Sequence, residues 1–305
     1  MKTRRQFLAS STTTTAAALG LTGCQKPDEP GFIDAHVHVW TPDTKRYPIA
    51  QKYTVEQMKP PSFTPEELFA HSKPAGVSRV VLIQMSFYGF DNSYMLDAMA
   101  AYPGVFGGVA VIDENAPDVK ATMLELAKSG VRGFRIRSTR ASAETWPDSK
   151  GTVEMWETGA EHNLSMCLLA DPDSLPAVLE MSRKFPETPI VIDHCARIGV
   201  SGSIEQSDLD ALLKLSDQEN VSVKTSAFYA LGKKAAPYED LGPMIKQLRD
   251  AYGANRLMWA SDCPYQVVRG HTYENAIALV RDRLDFLTAE DREWMLRKTA
   301  ESIFF

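Results

Sequence analysis

Beyond residue 30 the chain alternates short apolar runs, rich in β-branched residues, with longer helix-like segments that mix apolar and charged positions. The apolar runs are Phe32 to His38, Arg79 to Gln84, Val105 to Val111, Val131 to Arg137, Ser165 to Ala170, Pro189 to Asp193, Val221 to Thr225 and Arg256 to Ala260. Each has the length and residue types of a β-strand. Helices are expected from Thr64-Pro65-Glu66-Glu67, with threonine as cap and proline in the first turn, and over Asn92 to Ala101 and Pro117 to Ser129, where Gly130 ends the helix. Others follow over Val153 to His162, Pro172 to Phe185, Asp208 to Gln218, Leu241 to Tyr252, Tyr273 to Leu284 and Ala289 to Ser302. Eight strand–helix units in roughly 270 residues are the count and size of a single (β/α)8 TIM barrel of the α/β class, spanning 31–305. An open doubly wound sheet would want a Gly-x-Gly-x-x-Gly turn after the first strand, and none occurs there.

The first 24 residues do not belong to this pattern. Thr3-Arg4-Arg5-Gln6-Phe7-Leu8 resembles a twin-arginine export motif, and Leu21-Thr22-Gly23-Cys24 resembles a lipoprotein processing box. The run between them is too short and polar to span a bilayer. Residues 1–24 are thus expected to be a removable export signal, with Cys24 the lipidated first residue of the mature chain and 25–30 a polar tether. This places the protein in the bacterial cell envelope, on the periplasmic side, touching the membrane only through its lipid.

Composition narrows the functions further. A net charge of −6 over 305 residues, without a stripe of lysine and arginine, excludes a nucleic-acid binder. Four cysteines without a Cys-x-x-Cys pair suggest neither a disulfide framework nor a zinc ribbon.

A TIM barrel carries its site at the C-terminal ends of its strands. The residues there are His36, His38, Gln84, Arg135, Arg137, His194, Lys224 and Asp262, a set far more polar than turn formation requires. Strand alternation turns His36 and His38 to one face, with Ala35, Val37 and Val39 on the other. Arg135 and Arg137 likewise share a face. With Lys224 they make a cationic mouth on an acidic protein, which calls for a small anionic substrate bearing carboxylates. Gln84 and Tyr47 are further candidates for substrate contact. His71, His162 and His271 fall on helices or after loops and are read as surface or packing residues.

Four segments carry a family resemblance in order: Phe32-Ile33-Asp34-Ala35-His36-Val37-His38-Val39-Trp40, Ile190-Val191-Ile192-Asp193-His194, Val223-Lys224-Thr225-Ser226 and Trp259-Ala260-Ser261-Asp262-Cys263-Pro264. They resemble the amidohydrolase-related (amidohydrolase 2) family of the amidohydrolase superfamily. Asp91-Asn92-Ser93-Tyr94 and Gly130-Val131-Arg132-Gly133-Phe134-Arg135 point to its branch of pyrone-dicarboxylate and sugar-acid lactonases. The resemblance implies hydrolysis at a carbonyl, or decarboxylation, with His36, His38, His194 and Asp262 around the reacting centre.

Two-metal members of the superfamily use a carboxylated lysine on strand four, where this chain has Arg135 and Arg137; many one-metal members use a histidine on strand five, which is absent here. The expected cofactor is one divalent ion, zinc favoured, on His36, His38 and Asp262, with His194 as a further ligand; metal-free catalysis is the alternative. Asp262 is expected to act as general base toward water, opening a carboxylate-bearing lactone or related ester. The competing readings are a metal-dependent decarboxylase and a non-catalytic, ligand-binding envelope lipoprotein.

Overall fold

In the computed structural model eight parallel strands follow one another around a sheet in sequence order. They are β1 (Phe32–Val37), β2 (Val77–Ile83), β3 (Phe106–Ala110), β4 (Val131–Ser138), β5 (Ser165–Ala170), β6 (Ile190–Ile192), β7 (Val221–Ser226) and β8 (Leu257–Ala260). The structure describes residues 31–305; the expected export signal, Cys24 and the tether lie outside the described residues. The ring is completed just past β8, where Val37 bridges Cys263 in parallel register. Two backbone hydrogen bonds make this seam, Asp262 N–H to the His36 carbonyl at 3.0 Å and His38 N–H to the Cys263 carbonyl at 2.8 Å.

The apolar runs divide between two layers. Ile33, Ala35, Val81, Ile83, Val109, Cys167, Val191 and Met258 fill the barrel interior together with Ala300 and Phe304 from the C-terminal helix. Val80, Leu82, Phe134, Leu168, Ile192, Val223 and Trp259 belong to the larger cluster that packs beneath the surrounding helices. Strands buried on both faces explain why their sequence reads as continuous apolar runs.

β1 departs from simple alternation. Asp34 pairs with Val80 and Val37 with Leu82, so three steps along β1 match two along β2, a bulge. Ala35, expected to share a face with Val37 and Val39, instead joins the interior cluster, while Val37 and Val39 join the outer one. Asp34 fastens the bulge from behind: Oδ1 accepts from the His36 and Ser261 N–H groups at 3.1 and 2.9 Å, and Oδ2 from the Tyr273 hydroxyl at 2.7 Å.

Helix starts follow the local chemistry. Thr64 and Glu67 form a reciprocal capping box over Pro65–Ser72, with proline in the first turn. The last two expected helices are instead broken into shorter pieces by wide π-turns at Leu279–Arg283 and Trp294–Lys298.

The barrel floor depends on a missing side chain. A methyl group at Gly107 would lie 2.8 Å from the Phe304 carbonyl oxygen, so glycine at this position lets the C-terminal helix seat. Gly107→Ala is expected to cost about 1–3 kcal/mol as overpacking, read as a lowered urea midpoint at unchanged slope.

Candidate active site

The bulge turns His36 inward, and the closing seam brings β1 against the turn after β8. The Nε2 atoms of His36 and His38 lie 3.3 Å apart, and each is 3.6 Å from Asp262 Oδ1. His194, entering from the turn after β6, places its Nε2 3.9 Å from the same oxygen. His194 through Arg197 all have positive φ, as does Asp262 at 64°. Consecutive non-glycine residues in this region are costly, and such strain concentrates where side chains must be aimed.

Burial decides the protonation of these groups. It holds His36 well below the usual imidazole range and takes His38 and His194 down to about 3, so all three are neutral near pH 7. Their second nitrogens are spoken for. His38 Nδ1–H donates to the Ile83 carbonyl at 2.9 Å, which leaves its Nε2 as a lone pair. His36 Nε2 accepts from Arg135 Nη1 at 3.1 Å, which leaves its proton on Nδ1, where Asp193 Oδ1 and the Lys224 ammonium both stand at 3.4 Å. His194 Nδ1 lies 2.8 Å from the Ser226 hydroxyl, which can give or take a proton, so only His194 can present either tautomer.

Asp262 responds in the opposite sense. Burial raises its carboxyl to about 7, against partial relief from the Tyr229 hydroxyl, which donates to Oδ2 at 2.7 Å, and from Arg135. Beneath the imidazoles sits a second carboxylate, Asp193. Burial pushes it up, but Lys224 at 3.0 Å, His36 and Arg135 at 3.9 Å outweigh this and hold it well below the usual carboxylate range.

The donor set fits a metal ion. His36, His194 and Asp262 offer ligand atoms all within 4.8 Å of one another, and His38 Nε2 adds a further lone pair at 3.3 to 3.6 Å. A tetrahedral ion with bonds near 2.0–2.1 Å needs donors about 3.3 Å apart. Arg135, donating to His36 Nε2, competes for the same lone pair.

A cavity of about 830 Å³ opens above this cluster. His38, His194, Asp262, Arg135, Arg137 and Gln84 reach it; His36, fully buried, lies beneath. Two expected substrate contacts do not. Lys224 is fully buried on Asp193, because an unpaired ammonium inside the barrel would be prohibitive, so it serves the site from below. Tyr47 instead donates its hydroxyl to Asp97 at 2.6 Å. Gln84 lines the cavity, but its amide donates to the Asp91 carbonyl at 2.5 Å.

Residues 33–305 match the family described as Amidohydrolase. The chain belongs to the amidohydrolase family. Among its curated relatives, L-fucono-1,5-lactonase of Burkholderia ambifaria is 28% identical over 251 residues, covering 78% of this chain and 82% of that protein. A 2-pyrone-4,6-dicarboxylate hydrolase of Comamonas testosteroni is 26% identical over 258 residues, covering 81% of each. The crystal structure of a candidate 2-pyrone-4,6-dicarboxylic acid hydrolase from Pseudomonas putida superposes with a TM-score of 0.73 at 26% identity, over 90% of this chain and 98% of that one.

Within this amidohydrolase, sequence reasoning passed over Asp193, Asp34 and Tyr229 as site residues. Asp193 carried a signal, an acid ending the wholly apolar run Ile190-Val191-Ile192 directly before His194. Tyr229 carried none, since it reaches Asp262 from the turn after β7.

The Asp262 carboxyl titrates near 7 in the folded protein against an ordinary carboxyl value of 3.8, so folding favours its protonated form. The associated stability is present at acid pH and lost as pH rises through about 7, a loss bounded at roughly 4 kcal/mol. Asp262→Asn is therefore expected to be more stable than wild type at pH 8 and equal to it near pH 4, by urea denaturation with chelator present.

Proposed function

We propose that this amidohydrolase opens a carboxylate-bearing lactone by attack of water on the ring carbonyl. The observation that carries the reading is Asp262. Among the described residues it is the one acid lining a cavity that also presents Lys52, Arg135 and Arg137, and its carboxyl titrates near neutrality. A base with a pKa near the working pH takes up a proton readily yet returns it. The lactone hydrolase named for the Comamonas relative acts on a dicarboxylate, which accords with a cationic cavity.

Arg137, on the exposed end of β4, meets the substrate carboxylate, while Asp262 removes a proton from the attacking water. Negative charge then grows on the carbonyl oxygen. His36 and His38 present lone pairs and cannot donate to it, so Arg135 and the Nε2–H tautomer of His194 do. The proton held by Asp262 passes to the departing ring oxygen, which stays tethered to the product. His36, His38 and Asp262 would hold a zinc ion, leaving His194 Nε2–H free to donate, and the ion when bound supplies Lewis-acid polarisation of the carbonyl and a more acidic water.

Asp262→Asn is expected to lower kcat by about 10³-fold or more while preserving binding of the product acid. Arg137→Met should raise KM by roughly 10- to 100-fold, the loss of one charge-assisted hydrogen bond. Near-normal turnover of the first variant in a lactone-opening assay defeats the base assignment. Protein purified without chelator should carry about one zinc per chain, and affinity for added zinc should fall about tenfold per pH unit below 7 as Asp262 takes up its proton. Elemental analysis and competition with a chromophoric chelator measure both.

A further inference from the structure

The cavity is much larger than its reactive floor. At about 830 Å³ it is of a size that holds ligands of roughly 300–1,000 Å³, several times the bulk of one lactone ring. Four large apolar side chains are exposed among the described residues, Val55, Phe90, Val200 and Phe305, and two of them, Phe90 at 58% and Val200 at 41%, line this cavity. They come from different loops, after β2 and after β6, and line the same cavity as Tyr53 and the nearly buried Leu231.

Both loops are fastened. Asn92 donates to the Phe90 carbonyl at 3.0 Å and Gln84 to the next carbonyl, that of Asp91, at 2.5 Å; Ala50 N–H donates to the Phe87 carbonyl at 2.7 Å. The Lys234 ammonium donates to the Val200 carbonyl at 2.6 Å, and Gly232 N–H to the Gly199 carbonyl at 2.9 Å. The backbone is thus set with Phe90 and Val200 left short of apolar neighbours, at a hydrophobic cost that a ligand would recover.

We infer that the natural substrate is a lactone carboxylate extended by an apolar arm, aryl or alkyl, that packs against Phe90, Val200, Tyr53 and Leu231 while its ring sits on Asp262 and its carboxylate on Arg137. The identity of the reacting ring rests on the lactone reading above; the apolar subsite rests on the cavity alone.

The test pairs a γ-lactone carboxylate with its benzyl-substituted counterpart, and adds the matching cyclic-ether carboxylates, which lack the carbonyl, for calorimetry. The benzyl arm is expected to raise kcat/KM, and to tighten binding of the ether, by roughly tenfold or more, the yield of a few buried methylenes. That ratio should collapse in the Phe90→Ser, Val200→Ser double variant and largely survive in Phe90→Leu. An arm without advantage, or a ratio unchanged in the double variant, overturns the subsite. Arm-dependent binding of the ethers with hydrolysis of neither lactone supports the subsite and overturns the lactone reading instead.

Discussion

Two backbone hydrogen bonds close the barrel, and the same two set the spacing of the histidines and the carboxylate at its mouth. Asp262 N–H reaches the His36 carbonyl and His38 N–H the Cys263 carbonyl, so the histidine pair and the carboxylate are held across the seam by main chain rather than by loops. Asp34 reinforces this from the outer side by accepting from the N–H groups of both His36 and Ser261. A site carried on the barrel's own closure cannot open without disturbing the fold, which suits groups that must stay within fractions of an ångström of a working geometry.

Electrostatics below the seam completes the arrangement. Three imidazoles, two carboxylates, a guanidinium and an ammonium crowd a region nearly closed to solvent. The ions balance by pairing: Asp193 stays ionised because Lys224 and Arg135 face it, and it lies 3.4 Å from the His36 Nδ1 that donation by Arg135 to Nε2 leaves protonated. Asp262 has weaker compensation, and its protonation is left poised. Two aspartates in one barrel mouth thus serve opposite ends, one permanently charged and one switchable, because only one has an ammonium at 3.0 Å.

Much of this was legible in the chain. The eight apolar runs became the eight strands within a few residues, since strands covered on both faces leave a strong and simple pattern. That His36, His38, His194 and Asp262 converge was readable because strand ends in a barrel share one mouth. The bulge at Ala35 was not legible, since it depends on the β2 register. Lys224 looked like a substrate ligand because nothing in a sequence distinguishes an ammonium facing solvent from one facing Asp193. Tyr47 was misplaced because the path of the long loop after β1 is set by contacts with the next unit, where Asp97 takes its hydroxyl.

The seating of Phe304 beneath Lys224, 5.3 Å from ring centre to ammonium, ties the last helix to the charges under the site. The floor under the buried charges is supplied by Phe304, and β1 finds its closing partner just past β8. A change at Phe304 therefore acts on the Lys224–Asp193 pair as well as on packing, although it lies far from the cavity mouth.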